Sequence, residues 1–328
     1  MIMETNDASE NLHQLELRTA VALKSVSRNQ AYKSHVLQDS VLHATLLRGV
    51  SRYIGGETRS ECLRQAARLH AHGFLTILDY MGETIAETKT VEEIVVEFEG
   101  LIDAIAGTPS GRAISPDLSH IGLSIHSALA LQNARRLAKR AKAAEVEIML
   151  NMEDSTLTDE ILAVHRQLCE QFDNVGITLQ AYLYRTDKDL GDALERPGRI
   201  RLVKGAYQEP SSIARPLGPE TDRAYGQYLK AIVERNHPCY IATHDPTLLD
   251  QAHQLISHRS APSQGTEFEL NYGIRPERAA NMRDLGYPVR IYLPYGTEWF
   301  LYLCHRIAEH PPNLYQALID IIDGPRTS

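Results

Sequence analysis

Eight short apolar runs, each followed by a helix-like stretch, limit what this chain can fold into more than any other feature. They are Phe74–Asp79, Ile121–Ile125, Val146–Leu150, Gly176–Tyr182, Ile200–Val203, Cys239–Thr243, Glu267–Leu270 and Val289–Leu293, spaced roughly 22–47 residues apart. A β-then-α order repeated eight times predicts an α/β fold of the (β/α)8 TIM type rather than a doubly wound sheet. No Gly-x-Gly-x-x-Gly opens a helix after any of these runs, which weighs further against a Rossmann unit. The first residues read differently. Asn11–Val26, Val36–Val50 and Thr58–His72 have helical character, so residues 1–72 are expected as a helical arm or cap and 73–328 as the barrel. Glu209–Pro219 and Ser260–Gly265 read as loops from their Pro, Gly and Ser content.

Composition removes several function classes. A net charge of −8 argues against general nucleic-acid binding, which needs a basic surface. The cysteines Cys62, Cys169, Cys239 and Cys304 are scattered without a C-x-x-C, as expected for buried thiols in a reducing cytoplasm. No apolar run reaches ~18 residues, so no integral membrane segment is expected, and the polar N-terminus is unlike a signal peptide. These tests leave peripheral membrane contact open.

In a barrel of this type the active site lies at the C-terminal ends of the strands. Those ends are expected to carry Asp79, His126, Asn151, Gln180, Arg201, Lys204, Tyr207, Thr243, His244, Asn271 and Tyr292. After the last strand, Tyr302, His305, Arg306 and Glu309 fall at i, i+3, i+4 and i+7, on one helix face that Pro311 and Pro312 terminate. A polar row on a helix is usually a solvated face; the tyrosine-bearing strand directly before it argues for a pocket. A metal-dependent lyase or hydrolase would draw on His126, Glu153, Asp154, His244 and Asp245, but no tight spacing such as H-E-x-x-H supports one, and no metal site is expected.

Six ordered motifs resemble the proline dehydrogenase family. They are Tyr53-Ile54-Gly55-Gly56-Glu57-Thr58, Leu78-Asp79-Tyr80-Met81-Gly82-Glu83, Arg201-Leu202-Val203-Lys204-Gly205-Ala206-Tyr207, Ala242-Thr243-His244-Asp245, Glu267-Phe268 through Tyr272-Gly273-Ile274-Arg275, and Val289–Glu309. The resemblance implies a distorted (β/α)8 barrel with a C-terminal helix over its mouth and an FAD cofactor. By motif match, Arg201 and Lys204 would lie near the isoalloxazine and Gln180 at its pyrimidine edge. Gly205 and Ala206 would complete that run, and Thr243 and His244 would hold the ribitol and diphosphate side. Fixed cationic donors stabilise charge that develops on a reduced flavin. Outside such a motif, Arg201 and Lys204 would more often be rim ion pairs with Asp or Glu.

The pocket departs from the family pattern. Two arginines that clamp a substrate carboxylate in the family appear here as His305-Arg306, with the partner Glu309 kept. The resemblance puts His126 where the family has a lysine, Asn151 in place of an aspartate, and Asn271 in place of a leucine. Tyr207, Tyr292 and Tyr302 match the pocket tyrosines. A histidine cannot reproduce a bidentate guanidinium clamp. The expectation is therefore an FAD-dependent enzyme oxidising a C–N or N–N bond of a small amino-, imino- or hydrazino-acid other than plain L-proline, by hydride transfer to the flavin. The alternatives are an ordinary L-proline dehydrogenase, the metal-dependent barrel enzyme, and a non-catalytic flavin protein. An electron acceptor (a quinone, another carrier or dioxygen) would reoxidise the flavin.

Overall fold

A computed structural model describes residues 29–82, 87–257, 265–309 and 313–323, with single positions between 15 and 26. Of Gln30, Lys33, Leu37, His305 and Glu309 it describes the backbone alone. Eight parallel strands close a barrel in sequence order. They are β1 (Leu75–Tyr80), β2 (Ala113–Ile114), β3 (Glu147–Leu150), β4 (Val175–Gln180), β5 (Ile200–Val203), β6 (Cys239–Ala242), β7 (Thr266–Asn271) and β8 (Val289–Tyr295). Closure is made by β8 against β1, with Ile77 beside Tyr292 and Asp79 beside Pro294.

Twelve helices stand among the described residues: α1 (Gln30–Gln38), α2 (Ser40–Val50), α3 (Arg59–Ala71), α4 (Thr88–Ile105), α5 (Ser127–Ala143), α6 (Thr158–Cys169), α7 (Thr186–Leu194), α8 (Pro219–Glu234), α9 (Pro246–Ser257), α10 (Pro276–Asp284), α11 (Trp299–Glu309) and α12 (Asn313–Asp323). The ring helices are amphipathic and bury one stripe against the outer faces of the strands; α4 contributes Val91, Ile94, Val95, Phe98, Leu101, Ile102 and Ile105. This shell between sheet and helices is the main core.

Seven of the eight expected strands stand where the apolar runs put them, within two residues at each end. The second does not. The run Ile121–Ile125 lies in and just after a buried π-type turn, Ser119–Leu123, and β2 is Ala113–Ile114. Gly122 takes φ +123 inside that turn, which an extended strand would not accommodate.

A second apolar cluster ties the first helices to the last. Val50, Tyr53, Ile54, Trp299, Phe300, Leu303 and Ile307 share it. The Gly-Glu-Thr motif is the joint. Gly55 N donates to Pro294 O (2.7 Å), Gly296 N donates to Gly56 O (3.0 Å), and Trp299 Nε1 donates to Glu57 Oε1 (2.9 Å). Thr58 then caps α3 in a capping box with Glu61. Arg52 grips the fully buried Asp320 of α12 through Nε (2.5 Å) and Nη2 (2.8 Å).

Candidate active site

The upper interior of the barrel is organised round Arg201 on β5. Alternation along the strands points it inward. Its Nη1 donates to Asn151 Oδ1 (2.7 Å), Ser115 Oγ (2.9 Å) and Thr178 Oγ1 (3.4 Å), and Nη2 donates to Glu269 Oε2 (3.1 Å). Its Nε lies 2.9 Å from Glu269 Oε1. The guanidinium also stands over the Tyr292 ring, 5.5 Å from the centroid. Asn151 is locked in turn: it donates from Nδ2 to Ser115 O (3.0 Å) and accepts from Ser115 Oγ (2.6 Å).

The rim over β4–β6 carries the remaining cofactor candidates. Gln180 ends β4, 3% exposed; its Nε2 donates to Glu153 O (3.2 Å), while its Oε1 is buried with no protein partner. Lys204 reaches between Asp222 Oδ1 (2.5 Å) and Asp245 Oδ2 (3.1 Å). Burial opposes its charge, yet the two carboxylates hold its pKa above the ordinary value. Gly205 has φ +116, and a Cβ there would sit 2.1 Å from the Tyr182 ring, so the turn after β5 demands glycine for packing against Tyr182. Ala206 and Tyr207 follow, exposed at the rim.

After β6, Thr243 Oγ1 accepts from Asp245 N (3.1 Å). His244 Nε2 accepts from Asn271 N (3.1 Å), which fixes the proton on Nδ1; that Nδ1 is buried without a partner. Burial, then Arg306 and Arg275, push the imidazole down to about 3, so it is a neutral donor at working pH. Arg275 Nη1 donates to His244 O (3.1 Å).

The ends of β1–β3 are acidic. Asp79 is 6% exposed; its Oδ2 accepts from Tyr292 OH, and its Oδ1 is buried without a partner. Burial, then Asp117, hold its carboxyl well above the usual range. Glu153 accepts from Ser119 N (3.0 Å) and is pushed up to about 7 by burial, then by Asp117. The phenols of Tyr207 and Tyr292 are held high first by surrounding protein and then by nearby carboxylates, Asp117 among them.

Helix α11 brings Tyr302 and Arg306 to this mouth: Arg306 stands 5.0 Å from the Tyr302 centroid and acts electrostatically on His244. The side chains of His305 and Glu309, with Pro311 and Pro312, lie outside the described residues. His126 is not at a strand end. It is an exposed N-cap of α5, its Nδ1 accepting from Leu129 N (3.0 Å), because the strand expected before it is a turn. Asp154 Oδ1 accepts from Thr156 N (2.9 Å), and no group of three His, Cys, Asp or Glu side chains among the described residues is arranged to hold a metal.

Sequence reasoning missed Asp117, Glu269, Ser115 and Asp222. Asp117 was hidden by the misplaced second strand. Glu269 was visible in principle, since Glu267 and Glu269 alternate on one strand and so share the inward face.

The fold is a TIM-type (β/α)8 barrel whose mouth keeps buried polar atoms without protein partners. The family model described as Proline dehydrogenase matches residues 62–314. Proline dehydrogenase 1 of Bacillus subtilis (strain 168) is 34% identical over 265 residues, covering 81% of this chain and 88% of that protein. Proline dehydrogenase of Deinococcus radiodurans is 33% identical over 267 residues, covering 80% and 86%. Among solved structures, proline utilization A (PutA) from Bdellovibrio bacteriovorus superposes with a TM-score of 0.77 at 19% identity, a likeness of fold. It covers all of this chain, which spans 41% of that longer one. The chain belongs to the proline dehydrogenase family. It is accordingly an FAD-dependent oxidoreductase acting on CH–NH donors.

Proposed function

We propose that this protein oxidises L-proline to pyrroline-5-carboxylate. The observation that carries the reading is the identity of 34% over four fifths of the chain with a proline dehydrogenase. Of the two substrate readings open from sequence, the relatives favour this one over a substrate other than proline. The latter leaned on His305, whose side chain is not described, on His126, which caps an outer helix, on Asn151, which is engaged with Arg201 and Ser115, and on Asn271.

The residues present fit an FAD. Gln180 Oε1 is a buried acceptor awaiting an N–H, and His244 Nδ1–H is a buried donor awaiting an acceptor. Gln180, Lys204, Thr243 and His244 would hold the cofactor, with Arg201 beneath it. When bound, the flavin supplies a two-electron acceptor for the hydride leaving the carbon next to nitrogen. The chain's own residues bind and orient. Arg306 takes the substrate carboxylate, and Tyr207, Tyr292 and Tyr302 wall the ring. Asn151 and Glu269 hold the Arg201 guanidinium still, so its charge is in place before the reaction begins. No helix among the described residues is long and apolar enough to cross a membrane, and four free cysteines fit a reducing cytoplasm.

The test is anaerobic mixing of the FAD-loaded protein with L-proline. Loss of the visible flavin band is expected. A band untouched by L-proline but bleached by N-alkyl amino acids, hydroxylated prolines or hydrazino acids overturns the assignment.

A further inference from the structure

Resting on the amine-oxidising reading above, we propose that Asp117, with Asp79 beside it, forms a subsite for the protonated nitrogen of a dipolar substrate, while Arg306 serves its carboxylate. The strand that was expected to end near His126 ends instead at Ile114, and the charged side chain its loop brings to the mouth is Asp117. Asp117 acts electrostatically on Asp79, Glu153, Tyr207 and Tyr292, so it faces the same end of the barrel as they do.

The cations near this cluster are already engaged. Arg201 is taken by Glu269, Asn151 and Ser115, and Lys204 by Asp222 and Asp245. Among the described residues no lysine or arginine forms an ion pair with Asp79, Asp117 or Glu153; the basic side chain paired with this cluster is His120, its Nε2 3.4 Å from Asp117 Oδ2. Arg201 acts on Asp79 but is already neutralised by Glu269, so ionising these three carboxyl groups together is costly unless a ligand brings a further cation.

A separate observation points to that ligand. Asp79 is 6% exposed; one oxygen takes the Tyr292 hydroxyl, and the other is buried with nothing to accept from. Such an atom calls for a donor. A protonated amine supplies such a donor through its N–H. Positive charge gathers elsewhere on the rim, on Arg275 after β7 and Arg306 on α11, both acting on the neutral His244. An acidic patch and a basic patch on one mouth match the two charges of an amino acid. This subsite selects for a nitrogen that arrives protonated.

The experiment separates the two charges. FAD-loaded protein is titrated with pyrrolidine, a protonated ring amine lacking the carboxylate, and with tetrahydrofuran-2-carboxylate, in which oxygen replaces the ring nitrogen. Binding is read from the flavin absorbance. Asp117→Asn is expected to weaken pyrrolidine roughly ten- to hundredfold and to leave the oxygen analogue unchanged or tighter. Asp117→Lys should abolish pyrrolidine binding and tighten the oxygen analogue. Equal weakening of both probes, or a wild-type protein that does not bind pyrrolidine, overturns the subsite. If Asp117→Asn and Asp117→Lys lose their flavin, Asp117→Glu decides: retained pyrrolidine affinity supports the subsite and its loss overturns it. Turnover is not read here, so pyrrolidine binding alongside unreactive proline would indict the substrate assignment alone.

Discussion

The two ends of the same barrel use similar residues to opposite purpose. At the lower end Arg290 donates to Glu267 Oε2 (2.8 Å) and Thr76 O (2.7 Å), while Arg199 lies 3.1 Å from Glu147 and 3.5 Å from Glu267. The Tyr240 ring is sandwiched between these guanidiniums, at 4.5 and 5.1 Å. Tyr240 OH is the one atom of that group left without a hydrogen bond. At the upper end Arg201 and Glu269 form an equally buried pair, but Asp79 Oδ1, Gln180 Oε1 and His244 Nδ1 around them are all open. Buried polar atoms are rarely left unsatisfied, so a concentration of them at one end marks where a ligand completes the network. The lower end closes the barrel; the upper end waits to be closed.

Breaking one ion pair at each end should divide these roles most clearly. Glu267→Ala and Glu269→Ala each strand a buried guanidinium, costing ~3–5 kcal/mol of unfolding free energy in urea titrations of the flavin-free protein. Only Glu269→Ala should also weaken FAD, by about tenfold or more, because Arg201 loses its fixed position. Equal effects on FAD from both ends would break the comparison.

Next in size is a pH effect confined to the upper end. Glu153, at about 7 in the folded protein against an ordinary 4.5, keeps a proton that the unfolded chain has released. Its contribution is full below the ordinary value and is lost as pH rises to about 7, a fall of up to ~3 kcal/mol. Glu153→Gln should flatten that limb in flavin-free protein. His244, depressed to about 3, works in the other direction: the stability present above its ordinary value is lost as pH falls towards 3. Urea midpoints across pH 4–8 check both.

The smallest effect, and the sharpest, is Gln180→Met. The change removes the orphan acceptor together with the Nε2 donation to Glu153 O, so flavin-free stability should fall by no more than ~1.5 kcal/mol while FAD affinity falls roughly tenfold. A variant that lost stability and kept its flavin would mean that Gln180 belongs to the packing.

These residues also mark how far the sequence can be read. Strand runs such as Ile200–Val203 and Val289–Leu293 are legible because both faces are almost wholly buried and, Arg201 and Arg290 aside, the runs are apolar. β2 is two residues long and leaves no such signal, and Ile121–Ile125 is apolar because a buried turn is apolar too. Arg201, Lys204 and Gln180 were legible through their motifs. Their partners were not, because partner choice is made across the barrel: Arg201 pairs with Glu269 68 positions later, and Asp79 with Tyr292 213 later. Local pattern carries which way a strand residue faces, and closure decides whom it meets.

The grip of Arg52 on Asp320 spans 268 positions, and it bears on the order of events during synthesis. The helices on either side of Arg52 are synthesised well before the acid that anchors them, 268 positions later, and before the Trp299 cluster they lean on. Nascent chains must therefore carry an exposed apolar helix pair while the whole barrel between that pair and its anchors is synthesised, a state that invites chaperones and penalises stalling. Ribosome-bound fragments halted before Trp299 should be markedly more sensitive to protease around Arg52 than fragments halted after Asp323.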